Sequence, residues 1–352
     1  MLKIVSGWLS DRLGQRKWLA VAGYGISTVA KPFFYFVISW WGVLALRFAD
    51  RVGKGVRTAP RDALVADSIS EEHRGLAFGL HRAADTGGAM IGLLVALGVV
   101  WAAQSGALGL ARSTFQTVVL ISFVPAFLAV LTLALGAREV KVAEGADKEK
   151  GAVHRGSLRE VMQGPFRSFL LIVALFTLGN SSDAFLILRA EERGLSVVAI
   201  LAMVATFNGV YALVSGPAGA LSDRIGRRRL IVGGWLTYGL IYLGFALVQT
   251  GWQVWVLYAI YGVYYGMAEG TARALVADLV APAHRGTGYG AYNTVVGVTA
   301  LPASLLAGLL WQGIGGWDGF GPSAPFLFGA VLALAAAALL WWWLPAYGKE
   351  AR

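Results

Sequence analysis

Residues 7–17 read GWLSDRLGQRK, and residues 219–229 read GALSDRIGRRR. The same Gly, Ser-Asp-Arg, Gly and basic positions return at an offset of 212. Further out, Ala-Leu-Val-Ala-Asp stands at 63–67 and again at 274–278, and His-Arg-Gly follows each copy at the same distance, an offset of 211. Two motifs repeated at offsets that differ by a single residue divide the chain into two related halves. Such a period is far too long for a solenoid and fits a duplicated bundle.

Composition names the solvent of that bundle. The 352 residues are 57% hydrophobic and 14% charged, with mean hydropathy +0.63, well outside the range of soluble domains. A hydrocarbon core of about 30 Å takes roughly 20 apolar residues per helix. Ten such stretches can be drawn, at about 18–39, 42–66, 75–102, 115–136, 168–188, 196–218, 230–249, 252–280, 286–312 and 325–344. Strand alternation does not compete with these runs, so the fold expected is an all-α integral membrane protein rather than a barrel. Cysteine is absent, and with it thiol and disulfide chemistry.

The charges set an orientation. Arg12, Arg16, Lys17, Arg74, Arg138, Lys141, Lys148, Lys150, Arg155, Arg224, Arg227 to Arg229 and Arg285 fall on one side of the proposed membrane, against Arg112, Arg189 and Arg193 on the other. The positive-inside rule places the first side in the cytoplasm, together with the C-terminus. That asymmetry accounts for the net charge of +10 and removes the case for nucleic-acid binding. Trp40, Trp41, Trp252 and Trp341 to Trp343 lie near expected helix ends, as interfacial aromatics do. The expected organisation is a transmembrane bundle at 1–137, a cytoplasmic loop at 138–167, a second bundle at 168–345 and a cytoplasmic tail at 346–352.

The repeat also compares the halves in length. Asp223 stands about 55 residues after the second half begins near Ser168, whereas Asp11 has ten residues before it. About 45 residues, one helix and most of another, are therefore expected ahead of Met1, and residues 1–8 read as the end of the second of these helices. Twelve helices, six per half, would complete the bundle.

Two six-helix halves, a cytoplasmic central loop, and Gly-x-x-x-Asp-Arg-x-Gly-x-Arg-Lys between the second and third helices resemble the major facilitator superfamily of secondary transporters. Residues 7–17 match its signature loop and residues 219–229 match the weaker second copy. The resemblance implies alternating access at a multi-pass, bacterial-type cytoplasmic membrane. It also implies a small-molecule substrate, protons as coupling ion and a monomer.

The loop has the chemistry of a latch. Gly7 and Gly219 allow close helix approach, Asp11 can face the positive N-terminus of a neighbouring helix, and Gly14 permits a tight turn. Arg12, Arg16 and Lys17 are placed to pair with Asp67. Asp223, Arg224, Gly226, Arg227 and Asp278 form the counterpart. The resemblance implies that this latch holds the outward-facing state.

A second feature lies on the helix at 42–66. Arg47, Asp50, Lys54, Arg57 and Arg61 recur at spacings of 3, 4, 3 and 4, one helical face. A charge at the bilayer centre costs on the order of 3 kcal/mol even on lenient scales. The stripe must face protein or water, as an internal ion-pair lattice or as the wall of a translocation cavity. Arg51 and Asp62 lie beside it, and Lys31, His81, Arg82 and Asp85 are candidates to join it. Asp50 and Asp85 are the carboxylates expected to carry a proton. In the family the fourth helix has an Arg followed by two glycines; Arg47 with Gly53 and Gly55 is similar, with the spacing shifted by two.

Seven cations against three carboxylates in this half favour an anionic or zwitterionic ligand. In the second half Asp183, Glu269 and Arg273 are the comparable charges, with Asn180, Ser181 and Asn208 as polar wall or as helix-to-helix hydrogen bonds. Gly262, Gly266 and Gly270, and Gly75, Gly79, Ala83 and Gly87, give small-residue faces. Drug antiporters of the family carry Gly-Pro on the fifth helix; here Leu93 follows Gly92, which argues against drug export in particular. No phosphate-binding loop or metal-ligand spacing is present, so no cofactor, metal or enzymatic activity is expected. The expected function is transport of a small anionic or amphipathic solute or efflux of drug-like compounds, and its rival is a truncated non-transporting remnant or a membrane scaffold or sensor on the same fold.

Overall fold

The computed structural model describes residues 1–103, 111–140 and 158–343. Lys141, Lys148, Lys150 and Arg155 of the expected central loop, and the expected tail at 346–352, lie outside the described residues. The helices are α1 (Leu2–Leu13), α2 (Arg16–Phe33), α3 (Trp40–Asp67), α4 (Arg74–Ala103), α5 (Arg112–Gly136), α6 (Leu158–Val161), α7 (Gly164–Gly179), α8 (Ala184–Glu192), α9 (Val197–Ile225), α10 (Arg227–Leu247), α11 (Gly251–Leu279), α12 (Arg285–Gln312) and α13 (Ala324–Trp343). A single 3-10 turn precedes α4 at Glu71–His73 and another precedes α12 at Pro282–His284.

Seven stretches are long and apolar enough to cross a membrane: Glu71–Ala103, Arg112–Gly136, Gly164–Glu192, Val197–Ile225, Arg227–Leu247, Pro282–Gln312 and Ala324–Trp343. The other three expected spans, α2, α3 and α11, form helices of 18, 28 and 29 residues. Their hydropathy is lowered by the charges of α2 and α3 and by the tyrosines of α11. Helices of that kind cross a bilayer only with their polar faces against protein or water.

The chain folds as two compact units whose borders differ from the two sequence halves. The first comprises Met1–Ser68, Gly88–Val161 and Val280–Asn293; the second comprises Ile69–Gly87, Met162–Leu279 and Thr294–Arg352. The opening turns of α4 thus belong to the second unit, and those of α12 to the first. Small residues explain this exchange. A Cβ on Gly7 of α1 would overlap the Gly286 carbonyl of α12, and one on Gly219 of α9 would overlap the Gly75 carbonyl of α4. Only a hydrogen at these positions lets the backbones come so near.

In the first unit α2 and α3 pack backbone to backbone, so that a Cβ on Gly23 would stand 2.7 Å from the Gly53 oxygen. In the second unit Gly262 and Gly266 of α11 face Phe207 and Val214 of α9, and Gly270 faces Gly79 of α4. A Cβ on Gly87, expected on the same small-residue face as Gly75 and Gly79, would meet no other helix within 4 Å among the described residues. The core of this unit is aromatic: Phe176 stacks on Trp235 at 4.4 Å and Tyr238 on Tyr242 at 4.0 Å.

The expected single helix at 168–188 is two. α7 ends at Gly179 and α8 begins at Ala184. Asn180, Ser181, Ser182 and Asp183 are residues whose side chains compete with helical backbone bonding. The freed Gly179 carbonyl accepts the Tyr238 hydroxyl at 3.0 Å. A broken helix inside a membrane is stable only where its released backbone groups find such partners.

Candidate functional site

The first unit contains one charge cluster at the junction of α1, α2, α3 and α12. Gly14 closes α1 with φ 62°, a left-handed turn that glycine adopts without strain. The turn sets Asp11 under the start of α12. Its carboxylate accepts the Gly286 N–H at 2.9 Å, the Thr287 N–H at 2.6 Å and the Thr287 hydroxyl at 2.8 Å. The first turn of a helix offers unpaired N–H groups and a partial positive charge, so a carboxylate there is doubly stabilised.

Arg16 then links Asp11, at 3.3 Å, to Asp67, and also donates to the Ala63 carbonyl at 3.3 Å and the Pro282 carbonyl at 2.6 Å. Arg285 reaches Asp67 from the other side at 2.6 Å. All four side chains are nearly buried. Glu139 accepts the backbone N–H groups of Arg16 and Lys17 and so caps α2. Lys17 itself lies over the Trp18 ring and Arg12 over the Trp8 ring. Of the three expected basic partners of Asp67, only Arg16 reaches it.

The second unit repeats the construction. Asp223 accepts the Gly75 and Leu76 N–H groups of α4 at 2.9 and 2.8 Å. Arg227 joins Asp223 to Asp278 and donates to the Glu71 carbonyl at 3.1 Å, and Arg74 reaches Asp278 at 2.7 Å. Gly226 makes the turn between α9 and α10 with φ 96°, while Arg224 is exposed. The Pro282 and Glu71 carbonyls are themselves related by the offset of 211. Gly219→Val is expected to cost about 1–3 kcal/mol through overpacking against α4. Thermal unfolding of the purified protein measures it, and an unchanged melting curve would contradict the close approach.

The α3 stripe lies in the first unit and divides in two. Arg57 bonds Ser27 at 3.1 Å and covers the Tyr24 ring at 4.2 Å, and Arg61 donates to Asp62 at 2.8 Å and to the Tyr24 hydroxyl at 3.3 Å. These belong to the packing of α2 on α3. Arg47, Arg51 and Lys54 are exposed, with Asp50 and Lys31 half-buried beside them.

Arg82 and Asp85 belong to the second unit. The opening turns of α4 pack on α9 and α11, and carry Arg82 to Glu269 at 3.3 Å. Arg273 meets the same Glu269 oxygen at 2.9 Å, and the Tyr211 hydroxyl donates to the other. Asp85 approaches Arg82 at 3.4 Å but is 59% exposed. His81 is half-buried one residue before Arg82. Asp183 accepts the Tyr261 hydroxyl at 3.0 Å, and the Asn180 side-chain Oδ1 accepts the Tyr238 hydroxyl at 3.4 Å. Ser181 is buried at the helix break. Asn208 donates to the Val204 carbonyl of its own helix, a local bond rather than a site contact.

Two sets of residues were not singled out as site residues in the sequence. Arg74 and Arg285 were visible only as basic loop residues, although the repeated His-Arg-Gly marked their positions. Arg189 is 1% exposed and donates to Phe245 and Ala246 at the end of α10, to Ser323 and to Glu192. It carried no signal beyond its side of the membrane.

A sequence profile of the Major Facilitator Superfamily matches residues 1–304 and 169–352. An uncharacterized MFS-type transporter of Methanocaldococcus jannaschii is 35% identical over 340 residues, covering 95% of this chain and 80% of that protein. The multidrug resistance protein MdtG of Serratia proteamaculans is 27% identical over 268 residues, 74% of this chain and 61% of that protein. Among solved structures, the proton:xylose symporter XylE superposes with a TM-score of 0.74 at 16% identity, over 99% of this chain and 84% of the other. The Escherichia coli fucose:proton symporter FucP gives 0.76 at 11%, over 97% and 86%. Duplicated bundles, paired charge clusters and these likenesses agree: the chain belongs to the major facilitator superfamily of membrane transporters.

Proposed function

We propose that the protein is a monomeric secondary transporter of the cytoplasmic membrane that moves a small anionic, amphipathic solute by alternating access, coupled to protons. The observation that carries this reading is the pair of matched latches. A scaffold has no need of two buried, symmetry-related charge clusters that each hold the start of a helix from the other repeat. A transporter needs such contacts on its cytoplasmic side, formed in one state and released in the other. The exposed Arg47 and Arg51 support an anionic substrate, because charged side chains within membrane-spanning helices face protein or water. The likeness to MdtG supports an amphipathic one.

The test is flux into proteoliposomes under an imposed pH gradient. Asp11→Asn keeps the shape and removes the charge that holds the α12 terminus, a contribution of about 1–2 kcal/mol. Transport is expected to slow about five- to thirtyfold with membrane insertion unchanged. Wild-type rates in that variant would sink the latch, and flux indifferent to the gradient would sink proton coupling.

A further inference from the structure

We infer that Glu269 is an internal counter-anion, occupying between Arg82 and Arg273 the place taken by the carboxylate of an aromatic or amphipathic substrate, and vacating it by accepting a proton. The inference rests on the transporter reading and assigns it a substrate class, a binding site and a direction of coupling.

The geometry is confined to the second unit. Arg82 on α4 and Arg273 on α11 are buried, their side chains 10% and 9% exposed, and converge on one Glu269 oxygen at 3.3 and 2.9 Å. Glu269 is itself 28% exposed, so the anion is the accessible member of a buried group. Two guanidiniums in an apolar wall cannot be left bare. They can exchange one carboxylate for another, because an incoming carboxylate offers the same pair of acceptor oxygens to the guanidinium forks. Tyr211, Tyr265 and Phe207 stand around the cluster, with Tyr211–Tyr265 ring centres at 5.3 Å and Phe207–Tyr265 at 5.4 Å. That wall suits an aromatic body behind the acid group.

The repeat supplies an independent observation. At the offset of 211, Arg82, Glu269 and Arg273 correspond to Asn293, Thr58 and Asp62. In the first unit Asn293 accepts from the Lys3 amine at 3.5 Å and donates to the Tyr289 carbonyl of its own helix at 2.8 Å, the Thr58 hydroxyl donates to the Lys54 carbonyl, and Asp62 pairs with Arg61. Packing at this level of the bundle therefore works without the Arg-Glu-Arg group, and its presence in one repeat asks for another purpose.

Charge balance fixes the stoichiometry. Before exchange the inner group holds two cations and one carboxylate. After exchange it holds two cations, the substrate anion and neutral Glu269, whose proton has come from water. The net charge is unchanged only if one proton binds with each anion, which makes the pair move together. The other groups facing Glu269 are Tyr211 from α9, Tyr265 from α11, Asp183 from the α7–α8 break and, through Arg82, Asp85 of α4, with His81 adjacent.

Calorimetric titration of the purified full chain with benzoate, in two buffers of different ionisation heat, tests this directly. One proton taken up per benzoate is expected, with affinity falling about tenfold per pH unit between about pH 6 and 8. Benzylamine should not bind. Glu269→Gln should bind benzoate with no pH dependence and no proton uptake, and at least tenfold more tightly than wild type at the upper pH; Arg273→Gln should lose at least tenfold. No saturable benzoate binding, or pH dependence retained in Glu269→Gln, overturns the inference. If that variant does not fold, zero proton uptake by the wild type is sufficient to overturn it. Gradient-driven flux alongside proton-free binding would remove this inference and leave the transporter; proton-linked binding without any gradient-driven benzoate flux would do the reverse.

Discussion

Asp67→Ala is expected to destabilise the protein by about 3–5 kcal/mol, the loss typical of removing one partner from a buried charge group. Asp67 is 4% exposed and stands between Arg16, 2% exposed, and Arg285, 7% exposed. Without it the two guanidiniums face one another, and Asp11, at 3.3 Å, still opposes Arg16, with Glu139 at the start of the same helix. The cost is therefore mainly repulsion and stranded charge rather than one missing bond. Thermal unfolding in detergent reads the effect, and a cycle with Arg285→Leu separates its origin. Removing the stranded cation as well should recover part of the loss, because neighbouring charges in one network couple by about 0.5–3 kcal/mol. Strict additivity in that cycle would show that Asp67 acts independently of Arg285.

Arg189→Met is the second large effect. Phe245 and Ala246 lie in the last turn of α10, where carbonyls have no partner within the helix. Arg189 fills both positions, at 3.2 and 3.4 Å, and adds Ser323 at 3.3 Å. Methionine keeps the unbranched apolar stem of the side chain and none of its donors. Two stranded carbonyls at roughly 1–3 kcal/mol each predict a loss of about 2–6 kcal/mol. Ala246 retains the Ser323 hydroxyl at 2.6 Å, which favours the lower part of that range. Lysine should give an intermediate melt, since a point charge cannot serve the acceptors a planar fork reaches. A methionine variant melting with the wild type would show that these carbonyls find other partners.

The spans were legible because apolar runs of membrane length have few alternative interpretations. The break in 168–188 was less so, since both flanks are apolar and average over the polar centre. Its signal was local: Gly179 to Asp183 is a run of five turn-forming residues. The latch was legible up to the edge of each repeat. Asp11, Arg16 and Asp67 share a half and could be joined from motif spacing alone. Their partners Arg285, Gly286 and Thr287 come from the other half, and no spacing argument brings two distant segments into one cluster. The same limit placed Arg82 and Asp85 with the nearest charges in sequence, whereas glycines at 75 and 79 carry that helix face to α9 and α11. Helical periodicity put the α3 stripe on one face, but could not separate Arg57 and Arg61, held by Tyr24 and Asp62, from the exposed Arg47, Arg51 and Lys54.

The exchange of helix starts between the two units has a consequence for biosynthesis. The first latch needs residues 11, 16 and 67 and is finished by residues 285–287; the second needs residues 74–76 and is finished by residue 278. Both are completed between residues 278 and 287. At about 5–20 residues per second, Asp67 waits roughly 10–40 s for Arg285 to leave the ribosome. Throughout that interval the nascent chain holds Asp11, Arg16 and Asp67 with no partner segment, and then gains both fastenings almost together. A chain stalled anywhere before residue 278 has neither latch complete, which gives membrane quality control a distinction between unfinished and finished molecules.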